Sequence, residues 1–310
     1  MCWARALERA LGASGLTARD FAALISLGAL WGASFLFIRV AVPALGPFVL
    51  VGARVGLAAL VLVLVAAATG RALKLRGLWG PLLFVGFANT AVPFSLISAS
   101  EVHLTASLAA ILNSTTVLFT ALVAAFWMGD PLTPKKIFGI LLGIFGVAVL
   151  VGWDPLPLSP IVLLSVAAVL GASLCYGIGG VYTKRTFAGV PPLTLAVGQQ
   201  AAAASIMIPV ALTDLPNETP SVTVALCVLA LAVLSTAVAY LLFFYLISSA
   251  GPTATSTVTL IVPVFGLIFG VLFLDEPVGF GTIAGLAVIL SSVVLITGTR
   301  FGKARKSPSG

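Results

Sequence analysis

Two arginines interrupt otherwise apolar runs in this 310-residue sequence: Arg39 near the end of GALWGASFLFIRV (28–40), and Arg54 closing LGPFVLVGAR (45–54). Arg54 lies about eight residues into its run, ~12 Å along a helix rising 1.5 Å per residue. A charge at that depth is expensive and normally faces a cavity, a partner or a substrate. Three readings stand open: a cation for a substrate carboxylate, half of a structural ion pair with Glu101, or a side chain that snorkels to the outer interface. Arg39, closing its run, reads as an interface residue. Glu101 and His103 sit together where a later run begins. Histidine can change charge near neutral pH, but a solvated helix entrance is the expectation for this pair.

Thr105, Ala109, Asn113, Thr116 and Thr120 recur at helical spacing on one face. Asn113, within a turn of the middle of its run, is the member expected to line a cavity. Asn89 and Pro93 share a face, and the proline can free a backbone carbonyl there. Of the aromatic residues in the apolar runs, Trp31, Phe94, Tyr176 and Tyr240 are candidates for an apolar binding wall. YGIGG (176–180) puts Gly177, Gly179 and Gly180 into one weakened helical stretch, suited to motion or close packing.

The same inventory excludes much chemistry. There is one histidine, and Cys2, Cys175 and Cys227 show no ligand spacing, so neither a metal site nor a disulfide framework is expected. No Walker-type phosphate loop appears. The acidic residues fall in short loops, so neither a buried aspartate pair for proteolysis nor paired motifs for magnesium-diphosphate are present. No cofactor and no catalysis are expected. The interiors of the apolar runs hold no Asp or Glu, which argues against a pump built on a buried carboxylate.

These residues must be positioned by membrane helices. The chain is 60% hydrophobic and 8% charged, against about 25% charged in soluble domains, and its mean hydropathy is +1.21. Ten apolar runs, roughly 20–42, 46–69, 77–99, 103–127, 134–151, 159–187, 191–213, 221–249, 252–274 and 279–298, are each near the length that crosses a bilayer. The expected fold is an all-α integral membrane protein. Residues 1–19 carry Arg5, Glu8, Arg9 and Arg19 and do not read as a cleavable leader. With the N-terminus inside, 14 of the 16 Lys and Arg residues fall on the cytoplasmic side, and Glu101, Asp154, Asp214, Glu218, Asp275 and Glu276 fall outside. Both termini are then cytoplasmic. The net charge of +7 is a topology signal and does not point to nucleic acid.

Five runs per half make the second half enter the membrane inverted. Gly32-Ala33-Ser34 returns 139 residues later as Gly171-Ala172-Ser173, and GDPLTPKKIFG (129–139) overlays DEPVGFGTIAG (275–285) at an offset of 146. Inverted repeats of this kind are a transporter architecture, with the substrate near the midplane between the halves. Gly32 and Gly171 are therefore expected at helix contacts that slide.

LGALWGASFLFIRVAV, LGPFVLVGAR, MGDPLTPKKIFGILLGIFGV and LDEPVGFGTIAGLAVI together resemble the EamA family of the drug/metabolite transporter superfamily, over nearly the whole chain. The resemblance implies ten transmembrane helices in two inverted repeats, here 20–151 and 159–298, flanked by a 1–19 segment, a 152–158 external linker and a 299–310 basic tail. It also implies export of small metabolites, amino acids among them. Val117 stands where the family has a proline in its fourth helix, while Pro263 is kept, so a proline bend is expected in the second half only. The expected protein is a multi-pass cell-membrane exporter, a monomer or weak homodimer in the bilayer, moving a small molecule by alternating access. Aromatic or bulky apolar amino acids are the first expectation, with Arg54 and Asn113 at their polar ends. Nucleosides, sugars or drugs are the alternatives within the fold, and a channel or passive subunit is the alternative outside it.

Overall fold

The structure, a computed structural model, describes residues 17–153 and 159–297. Most of the expected 1–19 segment, residues 154–158 of the 152–158 linker with Asp154 among them, and the 299–310 tail lie outside them. Among the described residues every regular element is helical: α1 (Ala18–Ala68), α2 (Trp79–Ser100), α3 (Ala106–Asn113), α4 (Thr116–Met128), α5 (Pro134–Gly152), α6 (Pro160–Thr186), α7 (Pro192–Ala211), α8 (Val222–Ser249), α9 (Gly251–Thr255), α10 (Val258–Leu274) and α11 (Phe280–Thr297). Among the described residues eight helical runs, α3 and α4 counting as one, are long and apolar enough to cross a membrane, and α10 is a shorter apolar helix.

Local chemistry sets the ends. Thr17, Thr105, Thr133, Ser159 and Ser221 each accept a main-chain N–H from the first turn of the helix they precede, which satisfies donors the helix cannot. At 51 residues α1 would run ~75 Å if straight, more than twice the thickness of a bilayer core. Gly46 breaks it at φ 70, a backbone that glycine adopts without strain, and Pro47 follows. The first arm packs on α10 through Gly28 and Gly32, the second on α7 through Gly52. The α1–α2 turn carries Arg71, Lys74 and Arg76, the first turn of α5 carries Lys135 and Lys136, and the last turn of α6 carries Lys184 and Arg185. The turns after α2, α7 and α10 carry Glu101, Asp214, Glu218, Asp275 and Glu276. The two sets mark a basic and an acidic end.

Glycines bring the helices together, as expected where apolar burial from water cannot drive association. A methyl on Gly285 of α11 would sit 2.6 Å from Leu150 Cβ of α5, and one on Gly146 of α5 would meet Ile289 of α11 at 2.7 Å. At the α1–α10 crossing, a methyl on Gly32 would lie 2.6 Å from Phe265 Cβ and 2.9 Å from the Gly266 nitrogen. Gly171 makes no such approach: its nearest neighbour is the flexible end of Leu96, at 3.7 Å. Gly177 takes that role, with the Phe119 carbonyl carbon and the Thr120 nitrogen each 3.0 Å away. The expectation for Gly171 is thus corrected. Gly32 on Phe265–Gly266 corresponds to Gly177 on Phe119–Thr120, a relation close to the 146-residue offset of the acidic turns, and the Gly-Ala-Ser recurrence at 139 is incidental.

The expectation of a bend in the second half only is corrected too. Both candidate helices break, at Ser114–Thr115 between α3 and α4 and at Ser256–Thr257 between α9 and α10. The hydroxyls of Ser114, Thr115 and Thr116 donate to the carbonyls of Ile111, Leu112 and Asn113 at 2.6–2.7 Å. Thr257 and Thr259 donate to Ala254 and Ser256 at 2.7 and 2.8 Å. Main-chain bonds there shorten to three residues, Ser114 to Ile111 and Thr257 to Ala254. Clustered hydroxyls that compete for helix carbonyls do the work without a proline, and Pro263 lies inside α10, beyond the break.

Two further irregularities match. A π-turn at Phe87–Ala91 interrupts α2, and another at Val233–Val238 interrupts α8, beginning 146 residues later. Each inserts a residue and shifts the register of everything after it. In α2 the Val92 N–H reaches back to Phe87, just before Pro93, which has no N–H to offer.

Candidate functional site

A cavity of about 640 Å³ lies between α1, α2, the α3–α4 break, α6, α7, α8 and α10. Its lining is mostly aliphatic and aromatic with a few polar side chains, the usual make-up of a small-molecule site. Trp31, Arg54, Phe94, Asn113, Tyr176 and Tyr240 all line it, as do Gly180 and Pro263. Gly180 has nothing within 4 Å of where a methyl would stand, and Gly179 packs its face against the Asn89 side chain. At one extreme the lining reaches Lys184 and Pro192 at the basic end.

Arg54 is 5% exposed. Its Nε donates to Thr236 Oγ1 at 3.0 Å, and the Thr236 hydroxyl donates onward to the Leu231 carbonyl at 2.8 Å. That second bond turns a lone pair of Thr236 toward the arginine. The guanidinium carbon lies 3.8 Å from the centre of the Phe94 ring, a cation–π contact worth most where water is absent. The ion pair with Glu101 is not formed: both Glu101 carboxylate oxygens are buried without a hydrogen-bond partner. Nor does Arg54 snorkel. It is held inside the bundle by a residue of the α8 π-turn and an aromatic ring just beyond the α2 π-turn.

The same two π-turns organise a second polar group. Gln199 of α7 donates through Nε2 to Thr90 Oγ1 at 2.9 Å and to Tyr240 Oη at 2.8 Å, tying three helices together at the cavity wall. Asn113 Oδ1, Thr183 Oγ1 and Ser235 Oγ are buried, line the cavity and have no partner among the described residues. Buried polar atoms are nearly always satisfied, so these are the groups a bound solute would meet. Among the described residues no three His, Cys, Asp or Glu side chains gather to hold a metal ion.

At the acidic end the loop after α10 is tied to α3. Glu276, 9% exposed, accepts the N–H groups of Ala106 and Ser107 at 2.7 and 3.0 Å and the Ser107 hydroxyl at 2.5 Å. It thereby caps α3 from the loop after α10. Arg39 donates to the Glu101 carbonyl and, at 3.2 Å, to the Val102 carbonyl, fastening the α2–α3 turn. The solvated entrance expected for Glu101 is corrected. His103 is exposed, but Glu101 is 0% exposed, because its N–H still closes the last turn of α2 on Ile97 and its side chain stays within the bundle.

Gln199, Thr236 and Glu276 are the site residues that sequence reasoning missed. Gln199 left a signal, the Gln199–Gln200 pair in an apolar run, since polar side chains inside spans are seldom idle. Thr236 left none, because a π-turn sets its direction. Glu276 was legible only as part of an acidic turn.

The family model described as the EamA-like transporter family matches residues 21–152 and again 163–298. Across 287 residues the chain is 28% identical to a protein of Escherichia coli (strain K12) named a probable amino-acid metabolite efflux pump, covering 89% of this chain and 94% of that one. It is 24% identical over 275 residues to the uncharacterized transporter YvbV of Bacillus subtilis (strain 168), covering 86% and 88%. A solved structure titled only as the crystal structure of a protein superposes with a TM-score of 0.67 at 19% identity, over 90% of this chain and 96% of that one, a likeness of fold alone.

Proposed function

The chain belongs to the EamA-like transporter family, and from that premise we propose that it exports small metabolites by alternating access, amino acids with aromatic or bulky apolar side chains first. It is a multi-pass membrane transporter, not an enzyme. Reading α1 as two crossings joined at Gly46 brings the number of spans to ten, in two inverted five-helix halves. The matched π-turns, matched helix breaks and matched glycine crossings support that reading. The basic end is assigned to the cytoplasm by its positive charge.

One observation carries the substrate class: Arg54 sits in the cavity wall beside aromatic rings, bonded through Nε to a neutral threonine and not to a carboxylate. A substrate carboxylate supplies the missing countercharge in a bidentate fit. Asn113 Oδ1 is an acceptor suited to an ammonium group, and Trp31, Phe94, Tyr176 and Tyr240 form a wall for an apolar side chain. The cavity reaches the basic end while Glu276 shuts the acidic end, so this conformation loads substrate from the cytoplasm. The efflux named for the Escherichia coli relative runs in the same direction.

The test is flux of labelled aromatic amino acids from proteoliposomes without ATP, paired with resistance of an overexpressing bacterial host to toxic analogues. Movement of both is expected. Absence of any amino-acid flux together with unchanged resistance overturns the assignment and moves it to nucleosides or sugars. Ion conductance in a planar bilayer identifies a channel instead.

A further inference from the structure

The contact at the acidic end contains two buried carboxyl groups with opposite surroundings. Glu276 is fully served: two main-chain N–H groups and a hydroxyl face it at the first turn of α3. Glu101, in the α2–α3 turn five residues before Ala106, has neither oxygen bonded. The charged groups acting on it are Glu276, which repels a second negative charge, and Arg39 and Arg54, which attract it. The hydrogen bonds these arginines make go elsewhere: Arg39 Nη1 donates to main-chain carbonyls and Arg54 Nε to Thr236. His103, in the same turn, is exposed. Burial above all, and Glu276 next, hold the Glu101 carboxyl well above the usual carboxylate range.

We propose that this end is a proton-operated gate: Glu101 binds one proton when α10 closes on α3, and gives it up to external water when the two separate. The proposal rests on the alternating-access reading above, but not on the choice of substrate. Closure demands a neutral Glu101, because the closed contact offers its charge no hydrogen bond and places a second carboxylate nearby. Opening admits water, in which a glutamate titrates near its ordinary value, about 4.3. The sign follows from linkage. The closed state holds the raised carboxyl, so it gains on the open state as pH falls. The ratio of closed to open changes by up to about tenfold per pH unit between the ordinary value and the raised one. Acid outside thus favours the conformation that loads from the cytoplasm.

Spin labels placed at Val102 and Val278, both exposed beside the gate, report its opening by pulsed dipolar spectroscopy in lipid nanodiscs, with Cys2, Cys175 and Cys227 replaced by serine. In the otherwise native chain, a short-distance population is expected to grow at the expense of a long one as pH falls. Glu101→Gln, which keeps the shape of the protonated group, is expected to hold the short distance at every pH. An unchanged pH response in Glu101→Gln overturns the proposal. So does a wild-type chain showing both distances with no response to pH, which leaves alternating access standing. A single distance under all conditions, substrate included, overturns both. Should Glu101→Gln fail to fold, the infrared spectrum of the wild-type chain at neutral pH decides: a protonated-carboxyl band supports the gate, and its absence overturns it.

Discussion

An arginine 5% exposed inside an apolar bundle has to be satisfied, and Arg54 is satisfied only in part, by one threonine oxygen and one aromatic face. Charge-assisted hydrogen bonds contribute about 1.5–3 kcal/mol, so Arg54→Gln should lower amino-acid flux at low substrate by about tenfold to about hundredfold. Arg54→Lys should fall between, keeping the charge but losing the fork that meets a carboxylate and the stacking on Phe94. Proteoliposome flux checks both, with elution profiles to confirm folding; wild-type flux in Arg54→Gln would remove the carboxylate reading. Gly180 tests the cavity without touching the charge. Because nothing stands within 4 Å of its missing side chain, Gly180→Leu should fold with unchanged thermal stability and transport less, since the new side chain occupies the space a substrate needs.

At the level of elements, two glycines that look alike in sequence should behave differently. A methyl at Gly32 already falls 2.6 Å from Phe265 Cβ, so Gly32→Leu forces the α1–α10 crossing apart. Overpacking of this kind typically costs about 1–3 kcal/mol, and transport should be lost while insertion persists. Gly171→Leu, facing only a flexible Leu96 end at 3.7 Å, should transport nearly as the wild type. Thermal melting and flux of the pair read this directly, and equal damage in both would mean that the crossing differs from the one described. The helix breaks carry the same lesson. Val117 in place of proline suggested a straight fourth helix, but Ser114, Thr115 and Thr116 break it through their hydroxyls. Hydroxyls in a row are visible in sequence, and whether they bond backward or across helices is not.

For the whole molecule, sidedness is open to one decisive measurement. Reporters fused after residue 76, 136 or 185 should read cytoplasmic and one near 216 external, as the Lys and Arg distribution requires. An external reading at 185 would reverse one half and undo the inverted arrangement.

The sequence by itself determined that this is a helical membrane protein of the EamA-like family, and it pointed to six residues that meet at one cavity. Span length, apolar content and a charge stranded in a span are local properties, and the membrane penalises each locally. Only the tertiary structure decided what those residues touch. Arg54 meets Thr236 across 182 positions, and Glu276 caps Ser107 across 169. Which glycine meets a backbone and which carboxyl loses water likewise depend on helices far apart in the chain. Two π-turns then re-aim the residues within and after them, Thr90 and Thr236 among them, a register shift that composition does not encode.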